Sequence, residues 1–317
     1  MVGNNIKKRR LELRMSQQDL AEAMGYKTRS TIAKIESGEN DVSQKKLQKF
    51  AAVLNTKIEA LIGSESSLWT TTQVIPEWDN KKQKNVAVVL AGGKSGSNRQ
   101  NIPNQFVHIQ NKPLIVYSMD AYQMHPAIDD IYVVCLKGWE AILKAYAEQY
   151  GITKLRGIIP AGASGITSLK NAVDYLKKIY SPEDFVIIQE ATRPLVTLET
   201  LSLLLQNCQE KGSATICHSM NEYVQFSLSE KKADYIDRNN VIALQSPEAH
   251  KISFLKEVFD AARKCQHRLT ENSLTMLLCN LGYTINFVES RVNNIKIARE
   301  EDIATLDALI KKEQGYY

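Results

Sequence analysis

The chain has 317 residues, of which 44% are hydrophobic and 24% charged, an ordinary composition for a globular protein. Its longest apolar run near the middle, residues 86–91, is far too short to cross a bilayer, so no membrane span is expected. Lys7 to Arg10 are followed by no apolar stretch, which argues against a secretory signal and predicts a cytoplasmic protein.

The net charge of +5 lies entirely in the first fifth of the chain. Residues 1–63 hold 12 Lys and Arg against 7 Asp and Glu, and the remainder holds 28 against 28. A basic segment of this kind is expected to meet a polyanion, although a solvated basic surface has the same composition. The five cysteines and five histidines are scattered without metal-ligand spacing, which disfavours disulfides and a zinc site.

Length and patterning predict two domains joined by a linker. Residues 1–63 form the first, all-α domain and residues 85–317 form the second, α/β domain. Residues 64–84 are polar and lack a sustained period, which indicates a linker. Trp69 and Trp78 are unusual there and are expected to pack on a domain face.

The N-terminal domain is predicted to contain five short helices. Ile6, Arg10 and Leu13 form the stripe of the first helix. Ser16 caps the second helix, with Asp19 in its first turn, and Gly25 ends it. Thr28 or Ser30 begins the third, and two more follow. The expected core positions of helices two to five are Leu20, Ala21, Met24, Ile32, Ile35, Leu47, Phe50, Ala51, Leu54, Ile58, Leu61 and Ile62.

This pattern of caps, glycines and apolar positions resembles the Cro/C1-type (XRE) helix-turn-helix family across residues 4–63. The residues that carry the resemblance are Ser16-Gln17-x-x-Leu20-Ala21-x-x-Met24-Gly25 and Ser30-Thr31-Ile32-x-x-Ile35-Glu36-x-Gly38.

The resemblance implies binding to double-stranded DNA, with the third helix in the major groove and each domain reading a half-site, hence a dimer. It assigns base or nearby contacts to Arg29, Ser30 and Lys34. It assigns phosphate contacts to Gln17, Lys27 and Asn40. The alternative is an interaction module that has lost DNA binding.

From residue 85 onward, short apolar runs alternate with amphipathic helices. Strands are predicted at 86–90, 131–135 and 185–188, and helices near 114–124, 139–150, 166–180 and 198–211. The alternation predicts a mostly parallel sheet covered on both faces, with its ligand site at the carboxyl ends of the strands. The first of these ends carries a glycine-bearing loop, residues 91–96, which is not a Walker A motif but whose amides and Lys94 could cradle phosphates.

Further motifs in the second domain resemble the cytidylyltransferases of methylerythritol phosphate and ribitol phosphate (IspD/TarI), over residues 86 to about 313. These motifs are Ala91-Gly92-Gly93, Pro103-x-Gln105-Phe106, Lys112-Pro113-Leu114, Ser168, Ala191-x-Arg193-Pro194, Asp237-Arg238, Gln245-Ser246-Pro247 and Asn294-Ile295-Lys296-Ile297.

The resemblance implies a Rossmann-like nucleotide-diphospho-sugar transferase fold in which an acceptor phosphate attacks the α-phosphorus of CTP. It implies catalytic roles for Lys296, Lys94 and Arg99, and a Mg²⁺ contact for Glu190. The implied nucleotide-binding residues are Ala91, Gly92, Gly93, Gly162 and Ser168. The implied acceptor-binding residues are Arg193, Arg238 and Thr270, although isolated arginines are also common in ordinary ion pairs. A homodimer through an arm at residues 217–240 is implied as well.

The chain departs from the family pattern at charged positions. Ser97 replaces an arginine, Asn104 a lysine, and Glu190 and Asn293 replace aspartates. Each lost charge removes transition-state stabilisation worth roughly a hundredfold or more in rate. Lys94 or Arg99 could compensate.

Three hypotheses follow. The first is a transcriptional regulator that binds a nucleotide, a CDP-linked metabolite or a sugar phosphate with impaired catalysis. The second is an active cytidylyltransferase that also binds DNA. The third is a ligand-free dimerising scaffold.

Overall fold

The computed structural model describes residues 2–26, 28–37, 40, 42, 44–56, 61, 83–94, 102–219, 225–229, 232–265, 273–290 and 294–313. The chain divides into two compact units, Met1–Ser67 and Leu68–Tyr317. Among the described residues, no helix is both long enough and apolar enough to span a membrane.

The first unit is all-α. Its described helices are α1 (Val2–Glu12), α2 (Gln17–Met24), α3 (Arg29–Glu36) and α4 (Gln44–Val53). Most of the predicted fifth helix, including Ile58 and Ile62, lies outside the described residues, but Leu61 is helical and buried. The core contains Ile6, Leu20, Ala21, Met24, Ile32, Ile35, Leu47, Phe50, Ala51, Leu54 and Leu61, which confirms the predicted apolar pattern at these positions.

Local sequence signals set the ends of α2. The Ser16 hydroxyl accepts from the Asp19 amide, and the Asp19 carboxylate accepts from the Ser16 amide, so the predicted cap is a full capping box. Gly25 adopts the left-handed conformation, with φ of 75°, that ends a helix. The prediction that Leu13 belongs to the apolar stripe is wrong, because α1 ends at Glu12 and Leu13 is exposed.

The second unit is α/β. Its strands are β1 (Asn85–Ala91), β2 (His108–Ile109), β3 (Lys112–Pro113), β4 (Asp130–Cys135), β5 (Leu155–Pro160), β6 (Phe185–Glu190), β7 (Ser213–Ser219), β8 (Gln225–Ser229), β9 (Lys232–Ile236), β10 (Ile242–Lys251) and β11 (Phe287–Glu289). Its helices are α5 (Leu114–Met124), α6 (Glu140–Gln149), α7 (Gly165–Leu176), α8 (Leu198–Lys211), α9 (Ile252–Lys264), α10 (Leu274–Asn280) and α11 (Glu300–Glu313).

Seven strands form one sheet in the order β11-β7-β10-β6-β1-β4-β5. Neighbouring strands are parallel except around β10, which runs antiparallel to β6 and β7. β8 and β9 form a separate hairpin within the segment predicted as a dimer arm. The predicted mostly parallel sheet is therefore confirmed.

Both faces of this sheet are covered. Alternate residues of β1 point to opposite faces, so Ala87 and Val89 join one core and Val86 and Val88 the other. The first core includes residues of α5, α8 and α11, and the second those of α7, α9 and α10. Because both faces of the sheet are buried, the sequences of its central strands are almost continuously apolar. The carboxyl ends of β1, β4, β5 and β6 share one edge, where a ligand site is expected.

Candidate functional site

The loop after β1 is held by a buried glutamine. Gln105 Nε2 donates to the carbonyl of Ala91 at 2.8 Å and to that of Gly93 at 2.9 Å, so it bonds to both sides of Gly92. Gln105 lies in the Pro103-x-Gln105-Phe106 motif, but its partners are residues 12 and 14 positions away, which the motif does not indicate. By engaging these two carbonyls, Gln105 fixes the loop on which Ala91, Gly92 and Gly93 were predicted to contact a nucleotide.

The turn after β5 packs directly on this loop. A Cβ atom at Gly92 would lie 2.5 Å from the Cβ of Ala161, and one at Gly162 would lie 2.8 Å from the amide nitrogen of Ser168. The Ser168 hydroxyl accepts from the Gly162 amide at 2.9 Å. The structure therefore brings the predicted residues of both segments together, and only glycine fits at positions 92 and 162.

A charged cluster of Glu190, Arg193 and Lys296 occupies the end of the neighbouring strand β6. Glu190 Oε1 is 2.8 Å from Lys296 Nζ, and Glu190 Oε2 is 2.5 Å from Arg193 Nε. The Arg193 side chain is 18% exposed, against 48% for Lys296. This places one predicted catalytic residue, one predicted acceptor residue and the predicted metal ligand in a single site.

The two cations govern the ionisation of Glu190. Burial raises the pKa of this carboxyl, but the charges and hydrogen bonds of Lys296 and Arg193 outweigh it and leave the pKa below its usual value. Glu190 is therefore an anion near neutral pH, and the cluster of three residues carries one net positive charge.

The described residues do not form a preformed Mg²⁺ site in the free chain. Both carboxylate oxygens of Glu190 already contact cations, and the part of the chain that the structure describes contains no group of three or more His, Cys, Asp or Glu residues able to hold a metal. Mg²⁺ normally takes one or two carboxylates together with substrate phosphates. Mg²⁺, and Glu190 as its ligand, stay predictions.

A second layer of polar contacts supports the cluster. Gln189 is fully buried, and its amide nitrogen donates to the carbonyls of Glu190 and Arg193. The Ser246 hydroxyl accepts from the Glu190 amide at 3.2 Å. Asn294, which is also buried, joins the 193–195 segment to β10. Sequence analysis assigned none of these three a role, although Ser246 and Asn294 lie in motifs that it quoted.

The other residues predicted for catalysis and acceptor binding are exposed or lie outside the described residues. Lys94 is exposed at the end of the described loop. Arg99 and Thr270 lie outside the described residues, as does the side chain of Arg238. Asn104, at the position where the family resemblance implies a lysine, is 3% exposed, and its amide donates to the carbonyl of Ala298.

The candidate DNA-binding helix is α3. Ile32 and Ile35 are buried, whereas Arg29, Ser30 and Lys34 are exposed. Arg29 and Ser30 lie in the first turn of the helix, as reading of base edges from its N-terminal end requires.

The other predicted DNA contacts lie around α3. Asn40 is exposed, and its amide donates to the Lys34 carbonyl. Lys27 is outside the described residues. Gln17 lies at the start of α2 and donates to Glu36 at 2.8 Å. The DNA contacts of all six predicted residues stay predictions.

A buried ion pair fixes α3 in the unit. Arg10 of α1 bonds to Glu36 through both Nε, at 2.6 Å, and Nη2, at 3.1 Å. Both side chains are less than 10% exposed, and Gln17 completes the contacts of Glu36. A buried carboxylate is tolerated because it is paired and hydrogen-bonded. Sequence analysis placed Arg10 in a helical stripe but did not identify this partner.

The sequence of the second unit is similar to known cytidylyltransferases. Residues 85–312 match the 2-C-methyl-D-erythritol 4-phosphate cytidylyltransferase family, and residues 6–61 match a helix-turn-helix family. A ribitol-5-phosphate cytidylyltransferase of Lacticaseibacillus paracasei is 33% identical over 230 residues, covering 72% of this chain and 98% of that protein. A 2-C-methyl-D-erythritol 4-phosphate cytidylyltransferase of Lachnoclostridium phytofermentans is 25% identical over 235 residues, covering 74% and 99%.

Solved structures agree on the fold. The 4-diphosphocytidyl-2C-methyl-D-erythritol synthase of Anaerococcus prevotii superposes with a TM-score of 0.60 at 17% identity, covering 72% of this chain and 96% of that one. The 2-C-methyl-D-erythritol 4-phosphate cytidylyltransferase of Francisella tularensis gives 0.58 at 18%, covering 71% and 100%. The chain therefore belongs to the 2-C-methyl-D-erythritol 4-phosphate cytidylyltransferase family and carries a helix-turn-helix domain at its N-terminus.

Proposed function

We propose that this protein is a DNA-binding transcriptional regulator whose α/β domain binds a cytidine nucleotide or a CDP-linked ligand and transfers cytidylyl groups slowly. The observation that carries the proposal is the engagement of Lys296 and Arg193 by Glu190. The cations still line the site, so an anionic ligand has partners there. In the free protein, however, the carboxylate of Glu190 partly neutralises the charge of Lys296 and Arg193.

Cytidylyl transfer needs cationic stabilisation more than it needs a base. An acceptor phosphate oxygen forms a bond to the α-phosphorus of CTP, the bond to the pyrophosphate oxygen breaks, and pyrophosphate leaves. Negative charge builds on the phosphoryl oxygens during this step. In the free chain Lys296 shares its charge with Glu190, and buried Asn104 supplies no cation. Binding without rapid transfer is the expected outcome.

Regulation requires that the ligand change the affinity for DNA. A ligand can do so only if it binds two arrangements of the protein with different affinities. We propose a homodimer through the β8–β9 hairpin and its flanking residues, which would present two copies of α3 to a two-part operator in the cytoplasm.

The proposal is tested by mixing the full chain with CTP, Mg²⁺ and either ribitol 5-phosphate or 2-C-methyl-D-erythritol 4-phosphate, and measuring pyrophosphate. We expect CTP to raise the melting temperature, because a ligand that binds only the folded state stabilises it, and we expect little pyrophosphate. Sustained release at about 1 s⁻¹ or faster, the usual range of enzymes, would contradict slow transfer.

A second candidate is an active cytidylyltransferase that also binds DNA. It is favoured by the 33% identity to a ribitol-5-phosphate cytidylyltransferase along 98% of that protein. The same assay decides between the two, since only this candidate predicts rapid turnover with one of the acceptors. The absence of any melting shift with millimolar CTP or CDP would leave the third candidate, a ligand-free dimerising scaffold.

A further inference from the structure

We propose that Asn294 is a positioning residue, which holds Lys296 and Arg193 where they can contact the phosphate groups of the bound nucleotide. This inference rests on the proposed function, because it concerns the same site. Asn294 is buried and has no charge, yet its position affects ligand binding through the two cations that it holds.

The side chain of Asn294 joins two distant segments. It is 3% exposed. Its Oδ1 accepts from the Leu195 amide at 2.8 Å, and its Nδ2 donates to the Ser246 carbonyl at 2.9 Å. One bond thus holds the turn after β6, and the other holds β10 where its pairing with β7 shifts register.

The main chain of Asn294 adds two further bonds. Its amide donates to Gln245 Oε1 at 3.1 Å, and its carbonyl accepts from Arg193 Nη1 at 2.8 Å. Arg193 is therefore held between the carbonyl of Asn294 and the carboxylate of Glu190, to which its Nε donates. The guanidinium direction is set by residue 294 as well as by its acidic partner.

Lys296 depends on the same anchor through the chain. It lies two residues after Asn294, and the next residue, Ile297, donates its amide to the Thr192 carbonyl at 2.8 Å. The main chain of Lys296 is thus fixed on both sides against the 192–195 segment. Displacement of Asn294 would move both cations relative to the loop around Gly92.

Two substitutions of Asn294 test whether it acts by positioning the two cations. Asn294→Asp keeps the shape and the acceptor for Leu195, but it replaces the donor to Ser246 with an oxygen that repels the carbonyl. Asn294→Ser removes both side-chain bonds without adding charge, and it serves also if the aspartate variant folds poorly. The matched control is Asn85→Asp. Asn85 is 1% exposed, donates to the Ala127 carbonyl, and begins β1 at the opposite end of the sheet.

The experiment measures CTP binding to the full chain by calorimetry, with Mg²⁺, at low and at high salt, and compares melting temperatures. We expect both Asn294 variants to bind CTP about tenfold more weakly at low salt and to show a flatter salt dependence, because fewer cations meet the phosphates. N85D should lower the melting temperature while leaving the affinity and its salt dependence unchanged. Melting changes without affinity or salt changes in both Asn294 variants would overturn the inference.

A crystal structure of ligand-free N294S, which adds no charge, gives a second readout. The inference requires Arg193 Nη1 to leave the carbonyl of residue 294, or Lys296 Nζ to change its distance from the loop around Gly92, and unchanged positions of both cations would overturn it. If the wild-type chain binds no CTP, the proposed nucleotide function fails, and this structure still decides the role of Asn294.

Discussion

Lys296 Nζ lies 2.8 Å from Glu190 Oε1, although the two residues are 106 positions apart in the chain. Where the resemblance to cytidylyltransferases implies an aspartate, the longer glutamate contacts both Lys296 and Arg193. The contact joins the altered carboxylate to two cations, so that in the free chain Glu190 neutralises part of their charge.

Glu190→Gln should strengthen CTP binding in the absence of Mg²⁺. Removing the negative charge frees Lys296 and Arg193 for phosphate oxygens, so we expect roughly a tenfold lower Kd in buffer with EDTA, measured by calorimetry. Glu183→Gln is the matched control, because Glu183 pairs with Lys251 elsewhere in the unit. Weaker binding by E190Q in EDTA would show that Glu190 is not a competitor for these cations.

Gly92→Ala should destabilise the second unit, whereas Gly93→Ala should not. The new methyl group at position 92 would lie 2.5 Å from the Cβ of Ala161, while among the described residues no atom beyond the two chain neighbours lies within 4 Å of one at position 93. We expect overpacking to cost about 1–3 kcal/mol in the free energy of unfolding. Denaturant titration of both variants checks this, and equal stability of the two would contradict the close packing of the loop.

Arg29→Ala should weaken operator binding and relax the preference at one base pair. The operator can be selected from random DNA with the wild-type chain. We expect a loss of about 1–3 kcal/mol, measured by fluorescence anisotropy on selected and mutated sites. Lys46→Ala is the control, since it removes one exposed charge from α4 in the same unit. Equal losses for both variants on every sequence would indicate general electrostatic attraction and no base reading by Arg29.

Ser16→Ala should destabilise the first unit by about 1 kcal/mol, because it removes half of the capping box. The stabilisation from the other half of the capping box, in which the Asp19 carboxylate accepts from the Ser16 amide, depends on pH. Hydrogen bonds from the Ser16 amide and hydroxyl lower the pKa of Asp19 below 3.8, so its stabilisation is present at neutral pH and is lost as the pH falls through that lowered value. Unfolding of wild type and S16A, followed by circular dichroism from pH 7 to pH 3, tests both statements. CTP affinity at pH 7 serves as the internal control and should be the same for S16A and wild type.

Leu244→Glu should weaken operator binding if the arm forms the dimer. Leu244 and Ile242 are exposed at the start of β10, which follows the hairpin along the chain, and Tyr235 is exposed in β9. A charge in an apolar interface should shift the chain towards monomers, which light scattering after size exclusion detects, and the affinity for a two-part operator should fall with it. Met124→Glu places the same charge on an exposed apolar side chain of α5. A dimer that withstands L244E would place the interface elsewhere.

Much of the fold could be predicted from the sequence because its signals are local. Caps, glycines and helical periodicity defined α2 and α3, and apolar runs defined β1, β4 and β6. The other described strands, among them β10 and β11, were not predicted. β10 lies antiparallel between two strands and combines polar with apolar residues, and β11 has three residues, so neither shows a clear period.

The sequence by itself determined which residues could meet a phosphate or its Mg²⁺, because the motifs that resemble the cytidylyltransferases single out Lys296, Arg193 and Glu190. Only the tertiary structure decided that they neutralise one another, that Arg10 pairs with Glu36, and that buried Gln105 and Asn294 hold the site. The physical reason is that these contacts, apart from the one between Glu190 and Arg193 three positions away, join residues between 12 and 106 positions apart. No local propensity encodes such distances, and they arise only when the strands align their carboxyl ends and the helices close over the sheet.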